Sequence, residues 1–120
     1  MHRSQSAFLL CSLFVASGAV LAGSQEVCKP ALSLKDSEHS EVVRFQRKWT
    51  GAFVVDASRC ATTTGFFEVE FVRLKEIGPD LSFAERFMWN PGQTEVTLDL
   101  AWDEWVNAHR IGQVHPCPCR

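Results

Sequence analysis

Apolar and polar residues alternate along much of the chain after residue 40, and a period of two predicts β-strands. The longest alternation runs from Val43 to Ala57, with apolar residues or glycine at most odd positions and mainly polar residues between them. Shorter alternations cover Leu81–Trp89 and Val96–Trp102. A helix would spread the same residues around its axis, so the pattern predicts half-buried strands.

The segment Phe66–Glu76 is also strand-like, but its apolar phase changes part of the way along. Phe67, Val69 and Phe71 share one face, whereas Val72 and Leu74 belong to the opposite face. One extra residue in a strand produces this change of phase. The pattern therefore predicts a β-bulge near Phe71 and Val72.

Turn and loop composition separates these strands. Ser58–Gly65 is a loop by composition, and Ile77–Asp80 contains a Gly-Pro turn. Asn90–Gly92 suits a type II turn, with proline at the fixed φ and glycine at the position that needs a positive φ. This turn predicts an antiparallel hairpin between Leu81–Trp89 and Thr94–Trp102.

Two segments have weaker patterns. Ala31–Leu34 suits a short strand, and the polar stretch Lys35–Ser40 reads as a loop. In Trp102–Val114, several apolar residues lie at helical spacing, with an aspartate that can cap a helix and a glycine that can end one. We expect one helical turn near Asp103–Asn107 followed by extended chain; a last strand over Val106–Val114 is the alternative.

Five or six short strands with turns between them predict an all-β protein, a small antiparallel β-sandwich. In its strand pattern the chain resembles immunoglobulin-like and fibronectin-type sandwiches. The resemblance rests on strand spacing alone and implies no function, because such folds carry many unrelated activities.

The N-terminus has the form of a secretory signal. Arg3 precedes an apolar run of 16 residues, Ala7–Ala22, which is shorter than the roughly 20 residues of a membrane-spanning helix. We expect a signal helix in residues 1–22, cleavage after Ala22, and a single domain over residues 23–120. Ser24 stands where a bacterial lipoprotein has its acylated cysteine, which disfavours a lipid anchor. The expected location is periplasmic or secreted, without membrane attachment after cleavage, and a bacterial origin fits.

The charge balance narrows the partners. The whole chain carries 12 Lys and Arg against 14 Asp and Glu, and loss of Arg3 with the signal leaves 11 against 14, a net charge of −3. A mildly acidic domain repels phosphate backbones, so nucleic-acid binding is not expected. We expect a monomer whose partner is a protein or a glycan.

Four cysteines remain after Cys11 leaves with the signal: Cys28, Cys60, Cys117 and Cys119. An even number in an exported small domain predicts disulfides. Proline at position 118 favours extended chain, in which Cys117 and Cys119 point in different directions, so a bond between them would be strained. Each is expected to pair with Cys28 or Cys60, and the sequence leaves open which pairs with which.

The same tail offers an alternative. His115, Cys117 and Cys119 form a His-x-Cys-x-Cys cluster whose nitrogen and sulfur atoms suit Cu(I) or Zn(II). The spacing lacks the two to four residues usual between cysteine ligands, and exported thiols tend to be oxidised. Disulfides are therefore the preferred interpretation, with no cofactor, and a redox-active dithiol is the least favoured one.

Little else in the sequence indicates chemistry. Asp103, Glu104 and His109 are the only acid–base grouping close in sequence, and no serine has the G-x-S-x-G signature of a nucleophile. Trp49 and two further tryptophans, at positions 89 and 102, fall on the inward phase of their strands. Trp105 has no settled phase and is the candidate for an exposed aromatic binding patch.

The sequence therefore predicts a non-enzymatic binding or structural module. The alternative is extracytoplasmic Cu or Zn binding through the tail cluster. An enzyme is the third possibility.

Overall fold

Residues 27–120 are described by the computed structural model of the protein. The predicted signal helix and the cleavage site after Ala22 lie outside the described residues. The described part of the chain forms six strands: β1 (Ala31–His39), β2 (Gln46–Asp56), β3 (Gly65–Lys75), β4 (Leu81–Trp89), β5 (Gly92–Ala101) and β6 (Glu104–Val114).

The six strands form two antiparallel sheets of three strands each, packed as a small β-sandwich. The strand orders are β1-β2-β5 and β4-β3-β6. The central strands carry the contact between the sheets: Trp49 meets Phe71 with ring centroids 5.0 Å apart, and Phe53 meets Phe67 at 5.2 Å. The prediction of an all-β, antiparallel small sandwich is confirmed.

The buried side chains at alternate positions of β2 and β3 fill the space between the sheets. On β2, Trp49 and Phe53 are buried, and on β3 the three residues Phe67, Val69 and Phe71 are buried in the same way. Burying a large aromatic or aliphatic side chain stabilises the fold by about 1.5–3 kcal/mol. The aromatic pairs across the sheets therefore form the main part of the core.

The first strand is longer than expected. Lys35–Ser40 was expected to be a loop, but β1 continues to His39 and pairs with β2 as far as Trp49. Strand β1 lies at a sheet edge, where polar residues can face solvent. Its register shifts between Leu34 and Asp36. The polar composition therefore marks an edge strand with a bulge.

The expected helical turn at Asp103–Asn107 is wrong, because β6 begins at Glu104 and is extended throughout. Strand β6 pairs with β3 with two shifts in register, one between Phe67 and Val69 and one between Val72 and Arg73. Each shift adds one residue to β6, so the β6 residues opposite alternate β3 positions, Val106, His109, Ile111 and Val114, are two or three residues apart. Intervals of three resemble the spacing of one helix face.

The predicted bulge near Phe71 and Val72 lies at the second of these shifts. Val72 is opposite Ala108 and Arg73 is opposite Val106, so the extra residue, Asn107, belongs to β6. The register between β3 and β4 is unbroken. The sequence thus located the irregularity but placed its extra residue on the wrong strand.

The predicted hairpin between Leu81–Trp89 and Thr94–Trp102 is also wrong. The turn at Asn90–Gly92 forms, with Gly92 at a φ of 92° and the Thr94 hydroxyl bonded to both backbone groups of Asn90. However, β4 pairs with β3 and β5 pairs with β2. The turn carries the chain from one sheet to the other, because turn chemistry fixes a reversal and not the pairing partner.

The strands run so that the connections gather at two ends. We call one the loop end; it contains the β1–β2, β3–β4 and β5–β6 connections. We call the other the clasp end; it contains the β2–β3 and β4–β5 connections, residues 27–30 and the tail 115–120. These two ends carry the features that bear on function.

Candidate binding site

Two disulfides hold the clasp end. Cys28 is bonded to Cys119, and Cys60 is bonded to Cys117. The backbone pairs in the opposite combination: Cys117 exchanges two hydrogen bonds with Cys28, and Cys119 forms a bridge with Cys60. Cys117 and Cys119 are therefore each joined to both Cys28 and Cys60, to one by a disulfide and to the other by backbone pairing. Two disulfides indicate an oxidising, extracytoplasmic compartment.

His115 lies outside this arrangement. Its side chain is exposed, with its ring 6.3 Å from that of Phe66. Within residues 27–120, no three His, Cys, Asp or Glu side chains are grouped so that they could hold a metal ion. The sulfur atoms of Cys117 and Cys119 are bonded to other sulfur atoms. The Cu or Zn alternative would need both cysteines reduced.

The tryptophans divide differently from the expectation. Trp49 and Trp89 are buried, as predicted, but Trp102 is 45% exposed and its predicted inward position is wrong. It follows the last residue of β5, so the alternation that predicted its phase has ended. Trp105, the predicted patch residue, is half-buried on β6 opposite Leu74.

The most exposed apolar side chains lie at the loop end. Six of the ten exposed large apolar residues in the described chain are found there: Val42, Val43, Phe45, Ile77, Leu81 and Trp102. Phe45 is 77% exposed and Ile77 is 74% exposed. Contiguous exposed apolar surface on a small protein commonly marks a binding site.

The β1–β2 connection ends in a two-residue turn. Val43 and Gln46 exchange two backbone hydrogen bonds across it, and the two residues between them, Arg44 and Phe45, have φ angles of 54° and 66°. Such a turn, with positive φ at both central positions, normally holds Asn-Gly. Positive φ is strained for residues with a side chain. The turn thus keeps a strained Arg-Phe pair at its tip.

Hydrogen bonds join the three connections of the loop end. Arg47 Nη2 donates to the carbonyl oxygen of Trp102 at 3.1 Å, which links the first hairpin to the β5–β6 turn. The amide of Glu76 donates to the carbonyl oxygen of Asp103 at 2.9 Å, which links the same turn to the β3–β4 connection. The three connections that carry the exposed apolar side chains are therefore tied to one another at the loop end.

A network of ion pairs around Glu104 holds the β5–β6 turn at the loop end. Glu104 lies 2.9 Å from Arg73 and 3.5 Å from Lys75, and both of its neighbours are largely covered by protein. The amide of Ala101 donates to Glu104 at 2.7 Å. This hydrogen bond, and then the charges of Arg73 and Lys75, lower the pKa of Glu104 below 4.5. The carboxylate therefore stays charged and holds the β5–β6 turn.

His39, at the end of β1, joins the two sheets. The amide of Val106 donates to its Nε2 at 3.0 Å. An accepting nitrogen must be unprotonated, so this bond requires the neutral imidazole. Burial lowers the pKa of His39 below 6.5, and the charge of Arg47 lowers it further.

An open cleft of about 490 Å³ lies beside the hairpin tip. Three cationic side chains, those of Arg44, Arg47 and Lys48, line it together with Glu41 and Asp99. Lys48 and Asp99 are 3.5 Å apart and both are exposed, so their ion pair is weak. The cleft therefore has cationic groups to offer to an anion.

A second open cleft of about 490 Å³ lies over the outer face of the β4-β3-β6 sheet. Small side chains, including those of Ala84 and Ala108, leave the space, and Gly112 lets Glu70 lie across β6. The charged groups in this cleft already pair: Arg110 Nε is 2.7 Å from Glu70. Its chemistry is less open to a ligand than that of the hairpin cleft.

The β1–β2 hairpin does not follow from the alternation of the sequence. Val43 and Phe45 share odd positions with Trp49, so the alternation placed them on the buried face. The break is visible in hindsight as the pair of valines at 42 and 43, which interrupts the period of two. Gln46 is where the strand begins.

Comparison with protein families, with curated proteins and with solved structures gives no match to this chain. Within the residues that the structure describes, no helix is long and apolar enough to cross a membrane.

Proposed function

We propose that the protein is a non-enzymatic binding module, periplasmic or secreted, that contacts its partner through the loop end. The observation that carries the proposal is that six of the ten large exposed apolar side chains of the described chain lie at the loop end, Phe45, Ile77 and Trp102 among them. The connections that carry them are tied together by hydrogen bonds. Surfaces of this kind bind partners more often than they remain free in water.

The strand order supports an immunoglobulin- or fibronectin-like sandwich as the scaffold. In the immunoglobulin arrangement, strands A, B and E share one sheet, and strands C′, C and F lie together in the other. The orders β1-β2-β5 and β4-β3-β6 correspond to these two sets. In variable-type immunoglobulin domains the binding loops, B–C among them, share one end of the sandwich. The corresponding β2–β3 connection lies at the clasp end, so the scaffold supports the fold class, and the exposed apolar side chains alone favour the loop end.

Site-specific photo-crosslinking tests the proposal. A benzophenone amino acid is placed at position 45, on the hairpin tip, and at position 54 as a control. Val54 is also exposed and lies on β2, the strand that follows the turn, toward the clasp end. In cells that express the protein, we expect adducts at position 45 in clear excess over position 54. Equal or absent labelling at position 45 would contradict a binding role for the loop end.

A further inference from the structure

The β1–β2 hairpin combines an apolar tip with a local positive charge. The cleft beside it is lined by Arg44, Arg47 and Lys48 against two acids, Glu41 and Asp99, a local net charge of +1, whereas the whole chain carries −2. The strained turn holds Phe45 outward between these cations. Cationic side chains next to exposed apolar ones suit a ligand that is anionic in one part and apolar in the next.

The positive charge lies in the cleft, and the most exposed apolar side chain lies at the tip of the hairpin. The cleft of about 490 Å³ is large enough for a phosphate-bearing group, and Arg44, Arg47 and Lys48 line it. Guanidinium groups bind phosphate oxygens through two parallel hydrogen bonds. Val43 borders the cleft, whereas Phe45 lies beyond it at the turn, and both side chains are exposed to water.

The shape of the apolar surface distinguishes a bilayer from a folded partner. Phe45, Ile77 and Trp102 lie on three separate connections that project from the end of the sandwich. Shape-complementary protein interfaces bury their anchors in fitted pockets. A fluid acyl layer adapts to separate projecting side chains, and tryptophan is enriched at the boundary between headgroups and acyl chains.

We infer that the Ser40–Trp49 hairpin docks on an anionic phospholipid surface, with headgroup phosphates in the cationic cleft and Phe45 and Val43 among the acyl chains. The inference rests on the proposed function and names its partner. It departs from the expectation of no membrane attachment after signal cleavage. The β3–β4 connection carries the acidic residues Glu76 and Asp80 beside Ile77, and an anionic surface repels them. The hairpin is therefore the primary contact with the lipid.

Co-sedimentation with vesicles tests the inference on the disulfide-bonded protein. Vesicles of phosphatidylcholine mixed with phosphatidylglycerol are compared with vesicles of phosphatidylcholine alone. We expect binding to the anionic vesicles that weakens as salt is added, because headgroup attraction is screened. Arg44→Gln should lower the partition coefficient about fivefold, since one basic residue near such a surface contributes about 1 kcal/mol.

Variants at the tip separate insertion from charge. Phe45→Ser should reduce partitioning by roughly tenfold or more, because it removes an inserted aromatic side chain. Val54→Ser, the control at an exposed position of β2, should leave partitioning unchanged. The double variant Arg44→Asn/Phe45→Gly places the residues preferred by this turn at the tip and should fold well while losing binding. Retained binding in that variant would overturn the inference.

The remaining outcomes are equally informative. Equal binding to both kinds of vesicle, or to neither, would overturn the lipid assignment. Binding of inorganic phosphate, detected as NMR shifts at Arg47 without vesicle binding, would show that the cleft takes a free anion and no membrane. Crosslinking of position 45 to a protein, with no vesicle binding, would overturn the lipid assignment and leave the proposed binding module in place.

Discussion

The clasp end and the loop end of the sandwich differ in how the chain is held. At the clasp end, two disulfides and paired backbone segments tie residues 27–30, the β2–β3 connection and the tail together. Cys60 is almost fully buried there, as is Trp89. At the loop end, connections without disulfides carry exposed apolar side chains and a strained turn.

The clasp end stabilises the fold through its disulfides, and the loop end destabilises it through the strained turn. A domain of about 100 residues buries only somewhat more than 60% of its unfolded surface and is marginally stable without added bonds. A native disulfide in a small exported domain typically contributes about 2–5 kcal/mol. Residues held at unfavourable φ cost about 1–3 kcal/mol each. The clasp end therefore offsets what the loop end loses through Arg44 and Phe45.

The largest expected effect follows from opening the clasp. Cys60→Ser/Cys117→Ser and Cys28→Ser/Cys119→Ser should each lower the free energy of unfolding by about 2–5 kcal/mol. Urea denaturation followed by tryptophan fluorescence measures the loss. Both pairs should behave alike, because each closes a long loop, with separations of 57 and 91 residues. A loss below about 1 kcal/mol for either pair would contradict the role given to the clasp.

Intact mass gives the control for that experiment. The purified, non-reduced protein should lack the four hydrogens of two disulfides and should take up no alkylating label at Cys28, Cys60, Cys117 or Cys119. Labelled thiols together with retained copper or zinc would instead support the metal alternative at the tail.

A smaller effect, of opposite sign, is expected at the hairpin tip. Arg44→Asn/Phe45→Gly should raise the free energy of unfolding by about 1 kcal/mol or more, because Asn-Gly adopts two positive φ angles with little strain. The midpoint of urea denaturation reports the change.

Gly92, the positive-φ residue of the clasp-end turn, supplies the matched control. A Cβ at this position meets nothing within 4 Å, so Gly92→Ala changes only the backbone preference at a φ of 92°. It should lower stability by about 1 kcal/mol. If the tip variant is no more stable than the wild type, the loop end does not store strain and the contrast between the two ends weakens.

Periodicity predicted β2 to β5 and missed most of β1 and the start of β6. Strand β2 alternates from Trp49 onward and β3 alternates as far as Phe71, because one face of each is buried against the other sheet. All four outer strands lie at sheet edges, but β4 and β5 pair without register shifts, whereas bulges shift the phase of β1 and β6. Lys35–Ser40 and Asp103–Asn107 were misassigned for that reason.

The candidate site was predicted in part. The prediction that Cys117 and Cys119 each bond to Cys28 or Cys60 is confirmed, but which pairs with which depends on how the tail crosses the end of the sandwich, and spacing alone does not encode that. Trp105 was chosen for its undefined phase, whereas Trp102 and Phe45 are the more exposed aromatics. A two-residue turn with Arg-Phe at its tip has none of the residues that normally announce it, so the hairpin was read as strand.

The smallest expected effect is a pH dependence set at the loop end by His39. Its folded-state pKa lies below 6.5, through burial first and Arg47 second, so the unfolded chain binds this proton at higher pH than the folded protein does. The stabilisation is complete above the unfolded value and is lost as the pH falls from about 6.5 towards the folded-state pKa. Protonation also removes the acceptor of the Val106 amide.

Urea denaturation at several pH values between about 8 and about 5 measures this slope. His39→Gln keeps a side-chain acceptor but does not titrate, so it should flatten the curve in that interval. His115→Gln, at the clasp end, should keep the wild-type slope because it leaves His39 in place. Glu104, whose pKa lies below 4.5, stays ionised throughout the interval. A slope that survives His39→Gln unchanged would mean that the bond between His39 and β6 does not control the acid sensitivity of the loop end.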